Sequence, residues 1–206
     1  MLFNRLCNAP NTNAPNPDFW RDLEAQHDHL RAARNTECPD LHHLAQALGI
    51  KVSGAWLRED LSGMIISLGD EWEILYNAEH SISRQRFSIA HMIGHHFLHR
   101  DLLSAGGRLG ANDDLQYRQV RGALCYNPAI LPKHEMQANR FAIHLLMPAP
   151  IVRRLVSQSL STAEIADRLA TSIGSITIRL ETLGLKTENK ENRLADREAG
   201  SPEQTR

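Results

Sequence analysis

His91 and His95 stand four residues apart in a segment, residues 83–100, whose apolar positions Phe87, Ala90, Ile93, Phe97 and Leu98 recur at helical spacing. On a helix that interval places both imidazoles on one face, one turn apart, close enough to share a metal ion. The chain has 11 histidines, so such a pair can equally be an exposed or hydrogen-bonded surface pair. A third donor changes the balance. Glu135 opens the next strong helical pattern, and Asn139, four residues on, shares its face and offers an oxygen to a ligand imidazole. Two histidines and a glutamate form the donor set of a tetrahedral zinc site with one position open, the asparagine orienting a ligand.

These side chains need two helices to carry them and a frame to hold the helices. The second helix is expected over Glu135 to Met147, ended by Pro148. Upstream, helical patterns run from Phe19 to Arg34 and from Leu41 to Leu48, the latter stopped by Gly49. IKVSGAWL, GMIISLG and WEILYNA are short runs rich in β-branched and aromatic residues, and read as antiparallel strands of a small sheet from Ile50 to Tyr76. Residues 101–132, rich in Gly, Asn, Asp and Pro, read as a loop or short irregular pieces. From Ile151 to Leu185 short helices are expected. Ser161 and Glu164 have capping-box spacing, a turn falls near Thr171 and Ser172, and the pair of helices is like a helix-turn-helix.

RQRFSIAHMIGHHFLHRDLL followed by HEMQANRFAIHLLMP resembles the ImmA/IrrE family of zinc metallopeptidases, whose pattern is R-x-R-F-[ST]-x-A-H-E-x-G-H and then E-x-x-A-[ND]-x-F-A-x-x-L-L-M-P. LHHLAQALGIKV and LSGMIISLGDEWEILYNAEHS are similar to the family's lead-in helix and sheet, so the resemblance spans roughly Leu41 to Pro148. It implies that His91, His95 and Glu135 hold Zn2+ and that Asn139 orients a ligand. It also implies a bacterial or prophage regulator acting on a helix-turn-helix repressor or antitoxin-like protein. One position departs from the pattern. Where the family has the glutamate that takes a proton from zinc-bound water, this chain has Met92, and a thioether neither accepts nor donates that proton at neutral pH. Loss of a general base costs about 10²- to 10⁴-fold in rate. Either the chain is an impaired peptidase, or it is a non-catalytic module that sequesters its partner. His134, His96 and His99 are the candidates for a substitute base, the latter two poorly aimed relative to His91.

The architecture implied is α+β, a small antiparallel sheet on zincin-like metallopeptidase helices followed by a C-terminal helical bundle. Its parts are a flexible segment (residues 1–18), the metallopeptidase-like domain (19–148), the helix-turn-helix-like segment (149–185) and a solvated tail (186–206). With 42% hydrophobic residues, 23 Lys+Arg against 24 Asp+Glu and a net charge of −1, the chain has the composition of a soluble globular protein. No apolar run suggests a membrane span or signal peptide, so the expected location is the cytoplasm. Cys7, Cys38 and Cys125 are widely separated and suggest neither a disulfide framework nor a thiolate zinc site. Balanced charge disfavours direct DNA binding, even though Ser172, Ser175, Thr177 and Arg179 are placed where a recognition helix would present them. Arg84 and Arg86 match the family's basic pair and are read as a salt-bridged helix start, and Gly94 as a point of close backbone approach.

Overall fold

The computed structural model describes residues 17–68, 71–106, 108–111 and 129–187. Most of the expected N-terminal segment and tail, and the middle of the long inter-helix stretch, lie outside these residues. Two short helices come first, α1 (Pro17–Gln26) and α2 (Asp28–Arg34). A single helix was expected here; the backbone leaves helical geometry at His27 (φ −136°, ψ 89°), whose ring meets Phe97 edge-on at 4.9 Å. Helix α3 (Leu41–Ala47) is capped by Asp40, which accepts from the backbone N–H groups of His42 and His43. It buries Leu41, Leu44 and Ala45 and stops at Gly49, whose φ of +74° suits a residue without Cβ.

The sheet holds β1 (Ile50–Ala55), β2 (Gly63–Leu68), β3 (Glu71–Asn77) and β4 (Arg108–Ala111) in the order β1-β3-β2-β4. It is mixed rather than wholly antiparallel. β3 pairs antiparallel with β2, but lies parallel to β1, with Ile50 opposite Trp72 and Val52 opposite Ile74. The connection over residues 56–62 is long enough to carry the chain past the position that β3 then fills. Asn77 secures this crossing: its buried Nδ2 donates to the carbonyls of Leu61 (3.0 Å) and Arg58 (3.1 Å). β4 falls within the stretch expected to be irregular, and pairs antiparallel with β2.

Ile50, Trp72, Ile74 and Ile65 lie on one sheet face and join the core beneath α4 (Ile82–Gly106). That helix runs past the expected end near Arg100, but its backbone is non-helical at His99 (φ −133°, ψ 20°). Helix α5 (Pro132–Leu146) starts three residues earlier than expected because Pro132 occupies the first turn and His134 caps it, Nδ1 accepting from the N–H of Leu131 at 3.0 Å. Helices α4 and α5 touch at Gly94: a Cβ there would lie 3.0 Å from Cβ and 3.1 Å from Cγ and Cδ1 of Phe141.

The C-terminal bundle comprises α6 (Ala149–Ser157), α7 (Thr162–Arg168) and α8 (Ile173–Thr182). The Ser161–Glu164 capping box forms at the start of α7. Glu37 reaches across to Arg154 (2.8 Å) and Arg168 (3.0 Å). Arg179 is buried: it donates from Nε to the carbonyl of Met147 at 3.0 Å and lies beside His144. The only basic side chain of α8 thus points inward. Among the described residues no helix is long and apolar enough to cross a membrane.

Two expectations follow. Alanine is the better helix former by about 1 kcal/mol, but overpacking costs about 1 to 3 kcal/mol, so Gly94→Ala should lower the thermal midpoint. Gly174→Ala in α8, where nothing lies within 4 Å of the added methyl, should hold or raise it; equal effects at both sites would contradict the tight crossing. Burial, reinforced by Arg179, Arg34 and Arg140, pushes His144 down to about 3, and burial with Arg100 and His27 pushes His96 down to about 4. The unfolded chain takes up protons near the ordinary 6.5 that the folded chain refuses, so stability is full above that pH and is lost as pH falls through this window. Urea midpoints measured from pH 7.5 to 4 should decline below about 6.5, less steeply in His144→Phe.

Candidate metal centre

The crossing of α4 over α5 brings together the three candidate donors. His91 Nε2 lies 3.0 Å from His95 Nε2 and 3.2 Å from Glu135 Oε2, and His95 Nε2 lies 3.5 Å from the same oxygen. One donor atom from each side chain falls within 4.8 Å of the others, and all three residues are buried. Two nitrogens and an oxygen at zinc-ligand bond lengths in tetrahedral geometry stand about 3.3 Å from one another. The observed separations bracket that value, so the residues fit a zinc ion, with Glu135 completing from α5 what the two histidines begin on α4.

Electrostatics favour the same use. Burial holds the His95 imidazole down at about 3, hence neutral. Burial alone would raise the Glu135 carboxyl, but hydrogen bonding and charge interaction with His91 and His95 outweigh it and hold the group well below the ordinary carboxylate range. A neutral imidazole and an ionised carboxylate are the states in which these groups bind a metal.

The remaining candidates fall into place around this centre. Met92 is fully buried and belongs to the hydrophobic core. Asn139 is half-buried and does not hydrogen bond a ligand imidazole: His91 Nδ1 is buried without a hydrogen-bond partner among the described residues, and His95 Nδ1 is taken by His99 at 3.0 Å. The sequence reading missed His99 as that partner. Its i, i+4 spacing from His95 was the available signal, but the helix distortion that turns its ring inward has no signature in composition. His134 is committed to capping α5, and its ring packs 4.9 Å from that of His99. His96 sits edge-on to Trp72 at 5.1 Å. His29, His42 and His43 are exposed, while Arg86 donates to the Pro39 carbonyl at 3.1 Å rather than to a carboxylate. Cys38 is exposed and has no disulfide partner among the described residues; Cys7 and Cys125 lie outside them.

Residues 45–181, more than half of the chain, match the family model Peptidase_M78, described as the IrrE N-terminal-like domain. No curated protein matches the chain. The matched span contains the sheet, both helices of the candidate centre and all but the end of the C-terminal bundle.

Elemental analysis of the purified chain should find close to one zinc per molecule, and His95→Ala or Glu135→Ala should strip it. Zinc retained at full stoichiometry in both folded variants would place the metal elsewhere.

Proposed function

The chain belongs to the Peptidase_M78 family, the IrrE N-terminal-like domains, and from that premise we propose that it is a zinc-binding regulator with impaired peptidase activity, acting on a helix-turn-helix repressor or antitoxin-like protein. The observation that carries the reading is the pairing of a well-formed His91–His95–Glu135 cluster with a fully buried thioether at residue 92. A zinc ion held by His91, His95 and Glu135 would acidify a water and polarise a substrate carbonyl. Efficient hydrolysis also needs a side chain that takes the proton from that water and hands it to the leaving amine. Met92 cannot do so. His134 is engaged in capping and His99 in holding His95, so neither is free to replace it.

A second reading shares the fold and differs in outcome: a non-catalytic module that grips its protein partner without cutting it. Met92's incorporation into the core favours it, because the side chain contributes packing where a peptidase would spend a carboxylate. The partner and the cytoplasmic setting are part of the proposal. The inward-facing Arg179 weighs against direct DNA binding.

Capture of helix-turn-helix proteins from the host on the immobilised wild-type chain, followed by mass spectrometry, identifies the partner and shows whether it is intact. Met92→Glu should then raise cleavage of that same partner by about 10²- to 10⁴-fold. An intact partner with no gain in the folded, zinc-loaded variant would favour the sequestering module. Full-rate cleavage by the wild-type chain would contradict impairment.

A further inference from the structure

Behind the donor atoms lies a line of buried contacts that the cluster alone does not explain. His95 presents Nε2 to His91 and Glu135, and its other nitrogen, Nδ1, lies 3.0 Å from Nδ1 of His99. His99 Nε2 in turn lies 2.9 Å from Gln137 Oε1 on α5. His99 is 1% exposed, and α4 abandons helical geometry at this one residue to bring its ring into place.

Proton counting gives the line a direction. A neutral imidazole has one N–H and one bare lone pair. If Gln137 presents its amide oxygen, which only accepts, His99 must donate from Nε2 and keep Nδ1 bare. His95 must then donate from Nδ1, which leaves its Nε2 bare and facing the cluster. If the amide were turned to present its NH2 group, the whole line would reverse and a proton would sit on His95 Nε2, where a metal must bind.

We propose that His99 and Gln137 are positioning residues that fix His95 in the tautomer with a bare Nε2, ready to accept a metal ion. The inference rests on the zinc reading of His91, His95 and Glu135. His91 has no such support: its Nδ1 is buried without a hydrogen-bond partner among the described residues. His95 alone of the two is therefore preset by a side-chain contact on its far nitrogen. The same geometry removes His99 from the ligand set, because its Nδ1 contacts the side of His95 opposite the donor atom.

Long-range ¹H–¹⁵N correlation spectra of the ¹⁵N-labelled full chain read the tautomers directly. The metal-free protein should show His95 protonated on Nδ1 and His99 on Nε2. Zinc affinity, by competition with a chromophoric chelator, should fall about 10- to 100-fold in His99→Phe and Gln137→Leu and stay within about threefold of wild type in Gln137→Glu, which keeps an acceptor. Circular dichroism checks that each variant folds; if His99→Phe does not, the Gln137 pair and the tautomers still decide. His95 protonated on Nε2, or affinities within about twofold of wild type in both Gln137→Leu and folded His99→Phe, would overturn the proposal. So would a His99 nitrogen that shifts as a direct ligand on adding zinc. A wild-type chain that takes no zinc but holds His95 protonated on Nδ1 would sink the zinc reading and leave the tautomer assignment standing.

Discussion

Everything at the centre of this molecule depends on how closely α4 can approach α5. Gly94, one residue before His95, gives Phe141 room to lie directly on the backbone of α4. Side-chain donors on two separate helices can share one ion only if the helix axes are held to within a fraction of an ångström, since ligand bonds tolerate little stretching. A packed core is what holds such tolerances. Phe141 fills the crossing, with the rings of Trp20 and Phe97 tilted against it at 5.0 and 5.6 Å between centroids. The sheet supports α4 from the other side through Ile65, Trp72 and Ile74.

Burial then does two jobs at once. It keeps His95 neutral, and it makes the Glu135 carboxylate depend on the histidines for its hydrogen bonding. A buried carboxylate facing two imidazole nitrogens is costly unless a proton or a cation joins them, so the same desolvation that shapes the site creates its affinity for a positive ion. Met92 belongs to the opposite economy. Being fully buried and apolar, it adds to the core without requiring a partner.

Much of this was legible in the sequence because it is local. The i, i+4 histidines, the glycine after α3 and the Ser161–Glu164 box each act within one turn of helix, where spacing determines geometry. The donor Glu135 was legible too, since a carboxylate at the head of a strong helical pattern is a local feature. What stayed hidden is non-local. The parallel pairing of β1 with β3 arises from where a connection travels, not from the alternation within either strand. His99 gains its place from a backbone distortion that only packing against α5 can stabilise. The early start of α5 likewise came from His134 acting as a cap, a task more often given to Glu or Gln at that position.

The central claim is that His91, His95 and Glu135 together bind one zinc ion. X-ray absorption at the zinc edge of the purified wild-type chain tests it most directly. The account predicts two imidazole nitrogens at about 2.0 to 2.1 Å, with the remaining scattering from oxygen at about 2.0 to 2.2 Å and none from sulfur. A sulfur shell near about 2.3 Å, or a spectrum with no imidazole contribution, would contradict it.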